Sequence, residues 1–187
     1  MPQVEIVIPQ HLHKRLKTLA QLEQETNGVF LCTPQRTGAK TRWLAHSFHL
    51  LGRGSATHVR ADPMRLAAAN HLLEHVHAQS PSAGYKLLKV HTHCRGTGEE
   101  WFDRFSSGDR NSVMAQLKRD PDYALVMISP IRSIAIGYPD NRYFVSEAPS
   151  TQTSLRNTRN LETLYATVAS RHGLELPRET ATVKRRR

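Results

Sequence analysis

Short apolar runs typical of β-strands alternate along this chain with longer segments in which apolar residues have helical spacing. The strand-like runs lie at residues 3–8, 28–33, 42–51, 85–93, 123–130, 133–139 and 142–149. The segments with helical spacing lie at residues 10–25, 63–79, 109–120 and 153–173. We therefore predict an α/β protein with a mixed central sheet flanked by helices, in which the last three strands form a meander with tight turns.

Local signals indicate where two of the helices begin or end. Pro63 suits the first turn of its helix, where no N–H is needed, and Asp62 before it is a suitable N-cap. Gly173 suits the end of the last helix, because glycine readily adopts the left-handed conformation found there. Residues 1–173 are predicted to form a single domain, and residues 174–187 a basic, disordered tail.

The composition favours acidic partners and a cytoplasmic setting. Of the 187 residues, 26 are Lys or Arg and 16 are acidic, and the resulting net charge of +10 would suit nucleic acid, an anionic membrane face or an acidic protein. Aromatic residues make up only 6% and are not interleaved with basic ones, which argues against a nucleic-acid interface. Neither a membrane span nor a secretory signal is recognisable, and two cysteines do not indicate a disulfide framework.

Two histidines separated by one residue, His91 and His93, end a predicted strand just before a loop that contains glycines. Alternation along a strand puts both imidazoles on one face, and the carboxyl end of a strand often carries the site of an α/β protein. Two imidazoles can bind zinc if a third ligand is near, and Asp109 is a candidate. On position alone, the simpler interpretation is that Asp109 is only a helix N-cap.

A second pattern with metal-ligand spacing lies in the helix at 63–79. His71, Glu74 and His75 match the H-x-x-E-H pattern of inverted zinc proteases, with both histidines on one helical face. That class requires a further acidic ligand and a much larger chain. We therefore expect these residues, together with His77, to lie at the surface or at the edge of the buried face.

The histidine segment resembles the JAMM motif of the catalytically competent MPN domains, also called JAB or Mov34 domains. In that family an early glutamate is followed by His-x-His and then by Ser-x-x-Asp. Here His91 and His93 supply the pair, and Ser106 and Asp109 supply the Ser-x-x-Asp. Glu25 begins a Glu-x-x-Gly pattern that enters an apolar strand, as in the family. The resemblance implies an MPN fold, which is similar to that of the cytidine deaminases.

The resemblance covers residues 3–148, with two departures from the family pattern. Cys94 follows the second histidine where the family usually has proline, and we expect its thiol to face away from the metal. Residues 94–105 also form a longer connection than is usual. Its aromatic residues could line a substrate groove or act as a lid, or could simply attach the loop to the core: Trp101, Phe102 and Phe105.

The resemblance implies a zinc metallopeptidase that cleaves the peptide or isopeptide bond after the C-terminal glycine of a ubiquitin-like protein, in deconjugation or precursor processing. Zn²⁺ would be held by His91, His93 and Asp109. Glu25 would be the general acid–base, and Ser106 would donate a hydrogen bond to the developing oxyanion. The alternatives are a metal-free MPN scaffold and, because of the charge, a nucleic-acid-binding protein.

Overall fold

The computed structural model describes residues 2–22, 24–54, 60–94 and 104–176. Within these residues, the β-strands are β1 (Gln3–Pro9), β2 (Thr26–Thr37), β3 (Lys40–Arg53), β4 (Lys86–Thr92), β5 (Leu125–Ile128), β6 (Ser133–Ile136) and β7 (Arg142–Ala148). The α-helices are α1 (Gln10–Ala20), α2 (Pro63–Gln79), α3 (Ser107–Leu117) and α4 (Gln152–Arg171). A short 3-10 turn, Pro81–Ala83, follows α2. None of the described helices is both long and apolar enough to span a membrane.

The strands form one mixed sheet in the order β6-β5-β4-β2-β3-β1-β7. β2 is antiparallel to both β3 and β4, whereas β4 is parallel to β5, and β1 is parallel to β3 and β7. The two outer strands, β6 and β7, contact one another, and the backbone N–H of Tyr138 donates a hydrogen bond of 2.8 Å to the hydroxyl of Tyr143. The sheet is therefore nearly closed, and the predicted mixed α/β class is confirmed.

Strand β7 does not extend the predicted meander. β5 and β6 form an antiparallel hairpin, but β7 lies at the opposite edge of the sheet and pairs in parallel with β1. In this register Val4 is opposite Tyr143 and Ile6 is opposite Val145. Those residues of β7 pack against the cluster around α1, so the apolar contact rather than the short connection decides the partner of β7.

Residues 34–41, predicted as a turn or loop between two strands, instead extend both strands into a hairpin with a shorter turn. β2 continues to Thr37, β3 begins at Lys40, and the two strands remain paired to their ends. Gly38 in the turn has a φ of +58°, a value that glycine adopts without strain. The added residues are mostly polar and all are at least partly exposed, so they lack the apolar alternation by which a strand is recognised.

The predicted helices are present, with differences at their ends. Asp62 caps α2 as predicted, with its Oδ1 accepting a hydrogen bond of 3.0 Å from the N–H of Arg65. α4 ends at Arg171, and Gly173 follows with a φ of +66°. α1 ends at Ala20 rather than at residue 25. The N–H groups of Gln21 and Leu22 donate hydrogen bonds to carbonyls three residues earlier, which is the tighter pattern found at helix ends. Glu25 therefore lies outside the helix, next to β2.

The two faces of the sheet pack against different helices. One face and α1 form the first core cluster, which includes Leu88 and Val90 of β4. The other face packs against α2 and α4, and next to them against the segment that contains α3. Since side chains alternate along β4, His91 projects to this second face. Leu174 and Leu176 of the predicted tail pack there too, whereas residues 177–187 lie outside the described residues.

Gly28→Ala is expected to destabilise the protein by about 1–3 kcal/mol, the usual cost of overpacking a core. A Cβ at this position would lie 2.7 Å from the backbone oxygen of His49 and would also overlap the ring of Phe48, which is 2% exposed. Urea unfolding measures the loss. The control is Gly108→Ala in α3, where the nearest atom lies 3.6 Å away. Equal stability of Gly28→Ala and the wild type would contradict this packing.

Candidate metal centre

The two imidazoles at the end of β4 lie on the same face, as predicted. The rings of His91 and His93 are stacked, with centroids 4.8 Å apart and an interplanar angle of 7°. The N–H of His93 donates a hydrogen bond of 3.0 Å to the carbonyl of Ile128, which extends the pairing of β4 with β5. The two histidines are 8% and 3% exposed. The sheet therefore holds both rings where solvent has little access to them.

The carboxylate of Asp109 faces both rings from the first turn of α3. Its Oδ1 lies 3.6 Å from Nδ1 of His91, and its Oδ2 lies 3.6 Å from Nε2 of His93. The ligand atoms of the three residues all lie within 4.8 Å of one another. In tetrahedral zinc sites, metal–ligand bonds of about 2.0–2.1 Å separate the ligands by roughly 3.3 Å. Small side-chain movements would therefore suit the three residues to zinc.

Ser106, not Asp109, is the N-cap of α3. The Ser106 hydroxyl accepts a hydrogen bond of 3.1 Å from the N–H of Asp109 and donates one of 2.8 Å to Oδ2 of the same residue. The N–H of Ser106 donates a further bond of 2.8 Å to Oδ2, which completes a capping box. The interpretation of Asp109 as the N-cap is therefore wrong. The hydroxyl and the N–H of Ser106 instead fix the Asp109 carboxylate in front of the two histidines.

The electrostatics of the cluster favour the metal-binding forms of its side chains. Burial lowers the pKa of His91 to about 4, even though the charge of Asp109 opposes that shift. Burial also raises the pKa of Asp109, but the nearby rings of His93 and His91 and the hydrogen bonds from Ser106 outweigh it and leave this pKa below its ordinary value. Near neutral pH the site thus offers a neutral His91 and a carboxylate, the forms in which these residues bind metals.

Glu25 lies beside the end of the histidine strand. The residue after it, Thr26, donates a backbone hydrogen bond of 2.9 Å to Oγ1 of Thr92, which lies between the two histidines in sequence. The carbonyl of Glu25 accepts a hydrogen bond of 3.0 Å from the N–H of Gly54. The fold therefore brings the predicted acid–base residue to the same end of the sheet as the three candidate ligands.

No protein-family model matches the chain, and no curated protein matches it. Among solved structures, the chain is similar to the solution structure of protein DSY2949 from Desulfitobacterium hafniense, with 19% sequence identity and a TM-score of 0.48. The match covers 78% of this chain and 95% of that one. The chemistry of the site therefore has to follow from its own residues.

Lys89 is a member of the site region that the sequence analysis did not single out. It precedes His91 by two residues on β4, so the two side chains share a face, and it is partly buried. Burial lowers the pKa of Lys89, and the nearby charge of Asp109 opposes this shift. The sequence could have indicated Lys89, because the alternation that puts the two histidines on one face of the strand also puts residue 89 there.

The connection between β4 and α3 is described only at its ends. Cys94 is fully buried, and the group with metal-ligand geometry does not include it. Phe105 is 2% exposed, packs beside Val113, and has its ring centroid 6.4 Å from that of His91. Phe105 therefore attaches this end of the connection to the core. Trp101 and Phe102, predicted to line a groove or form a lid, lie outside the described residues.

The H-x-x-E-H segment of α2 is not part of the group with metal-ligand geometry. Nδ1 of His71 lies 2.9 Å from the Glu74 carboxylate, and the His71 ring stacks on that of His172 with centroids 3.7 Å apart. Across the described ranges, the group with metal-ligand geometry consists of His91, His93 and Asp109. The expectation that His71 and His75 lie at the edge of the buried face is confirmed, since both are partly exposed.

Proposed function

We propose that the protein is a zinc-dependent hydrolase of the JAMM type, with an MPN fold. Its substrate would be the peptide or isopeptide bond after the C-terminal glycine of a ubiquitin-like protein. The observation that carries the proposal is the convergence of His91, His93 and Asp109, whose ligand atoms lie within 4.8 Å of one another. The two histidines lie at the end of β4 and the aspartate lies in the first turn of α3, which is the order that the JAMM motif requires.

The donor set fits catalytic rather than structural zinc. Two imidazoles and one carboxylate are three protein ligands, and catalytic zinc sites typically have three, with the fourth position open. Bound zinc supplies a Lewis acid that lowers the pKa of water and polarises a carbonyl group. The buried rings of His91 and His93 exclude bulk water from their side of the site, which strengthens electrostatic interactions there.

Glu25 would act as the proton carrier of the reaction. A general base must lie within hydrogen-bond reach of the attacking water, directly or through one further water. The N–H of the next residue, Thr26, donates a hydrogen bond to Thr92, so the backbone of Glu25 lies near the end of β4 and its two imidazoles. Its carboxylate would accept the proton of the water and pass it to the leaving amine.

Ser106 would hold the Asp109 carboxylate in place, and its hydroxyl would have to rotate before it could donate a hydrogen bond to the oxyanion. A hydroxyl has one hydrogen to donate, and that of Ser106 is donated to Oδ2 of Asp109. Its backbone N–H is directed to the same oxygen. We therefore propose that Ser106 fixes the carboxylate in the resting site, and that its O–H turns to the substrate when negative charge develops.

Cleavage of a panel of ubiquitin-like proteins, each fused after its terminal glycine to a fluorescent reporter, tests this function. We expect cleavage after the glycine, loss of cleavage with a chelator, and recovery when Zn²⁺ is restored. The matched control is the same fusion with its last glycine replaced by valine. Absence of zinc binding in a direct titration would contradict the metal site and favour a scaffold. Zinc binding without cleavage of any fusion would contradict the assigned substrate.

A further inference from the structure

We propose that Asn27 orients His91 in the zinc-loaded protein. Its Oδ1 would accept a hydrogen bond from Nε2–H of His91, so that this ring binds the metal through Nδ1. Asn27 is thus a positioning residue that acts through His91. The inference rests on the zinc site proposed above, but it concerns a residue outside the JAMM pattern.

The sheet places the two side chains side by side. Asn27 of β2 and His91 of β4 are directly opposite each other in an antiparallel pair. Side chains at such positions point to the same face, and their Cβ atoms lie about 4.5–5.5 Å apart. Asn27 is 3% exposed and His91 is 8% exposed. Water therefore has little access to the space between them.

Each of the two side chains has a buried polar atom without a partner. In the described part of the chain, Oδ1 of Asn27 and Nε2 of His91 are buried and make no hydrogen bond. Buried polar atoms are nearly always paired, so two such atoms at facing positions need an explanation. An amide oxygen is an acceptor and a protonated ring nitrogen is a donor, so the two atoms are complementary.

The position of Asp109 indicates which nitrogen of His91 binds the metal. Nδ1 of His91 lies 3.6 Å from Oδ1 of Asp109 and therefore faces the shared ligand space. A neutral imidazole that binds a metal through one nitrogen carries its proton on the other. Metal-binding histidines almost always donate that proton to an outer partner, which fixes the tautomer and the direction of the ring. In this site Nε2 would carry the proton, and Asn27 offers the facing acceptor.

Zinc affinities of Asn27→Leu and Asn27→Asp, measured in the full chain by competition with a chelator, test the inference. Asn27→Leu removes the acceptor and is expected to weaken zinc binding 10- to 100-fold, the usual effect of losing an outer partner. Asn27→Asp keeps an acceptor and is expected to stay within a few-fold of the wild type. The matched control is Thr26→Val, which removes the neighbouring buried hydroxyl and should leave the affinity unchanged.

Nitrogen-detected NMR of the zinc-loaded wild type shows which ring nitrogen of His91 binds zinc and which carries the proton. A purely structural role of Asn27 would not determine this choice. The expected result is zinc on Nδ1 of His91 and a slowly exchanging proton on Nε2. Zinc on Nε2, or an unchanged affinity in folded Asn27→Leu, would overturn the role of Asn27 while leaving the proposed function intact. Failure of the wild type to bind zinc would overturn both.

Discussion

Asp109→Asn is expected to weaken zinc binding by more than about 100-fold, because loss of a ligand should cost more than loss of a residue that only hydrogen-bonds to a ligand. We expect α3 to remain folded in this variant. The capping box decides which way the new amide points. Two hydrogen bonds from Ser106 reach the position of Oδ2, so the amide oxygen would take that place. The NH₂ group would then face Nδ1 of His91, where Oδ1 lies now. An NH₂ group is a donor and cannot bind a metal.

Chelator competition measures the loss of zinc, and thermal unfolding without metal tests whether α3 stays capped. Glu74→Gln is the matched control, because it makes the same change from carboxylate to amide beside another histidine, His71, outside the metal-ligand group. We expect this control to bind zinc like the wild type. If Asp109→Asn bound zinc as tightly as the control, the carboxylate would not be a ligand.

Glu25→Gln is expected to slow hydrolysis by about 10²- to 10⁴-fold, the range that general acid–base groups contribute, with zinc affinity unchanged. Glutamine has nearly the shape of glutamate but cannot accept the proton of the attacking water. The backbone at this position also carries the hydrogen bond from Gly54, which the substitution leaves in place. The turnover of a cleavable fusion and a zinc titration of the same preparation measure both quantities.

Glu23→Gln is the control for this variant. Glu23 is an acid of the same kind two residues earlier, and within the sequence only the Glu-x-x-Gly spacing favours Glu25 over it. Hydrolysis by the Glu23 variant should match that of the wild type. A Glu25→Gln variant that retained hydrolysis within a few-fold would exclude Glu25 as the proton carrier. Loss of zinc in this variant would indicate that Glu25 contributes to metal binding instead.

The helix boundaries illustrate what local sequence can predict. α2 begins at the predicted proline, with Asp62 accepting a hydrogen bond from the N–H of Arg65. The cap, the proline and the apolar spacing all lie within a few residues of one another, so no distant contact is needed to place this end. The last turn of α1 was predicted less well. The apolar spacing continues to Leu22, but the backbone tightens there and leaves the helix.

Strand pairing could not be predicted in the same way. The alternation of apolar residues in β7 indicates a strand but does not specify its neighbour. Contact with the cluster around α1 places β7 next to β1 rather than next to β6. The polar hairpin between β2 and β3 was missed for a different reason, since its strands are paired but lack the apolar alternation that marks a strand. Only the position of β7 depends on contacts between segments far apart in sequence, because the hairpin joins neighbouring residues such as Thr37 and Lys40.

The sequence by itself determined the α/β class, the helix that begins at Pro63 and the shared face of His91 and His93, because each depends on periodicity or on neighbouring residues. Only the tertiary structure decided that Asp109 faces both rings and that Asn27 lies opposite one of them. These contacts join separate strands and a helix. They arise when the sheet and α3 pack together, and no local pattern in the chain encodes that distance.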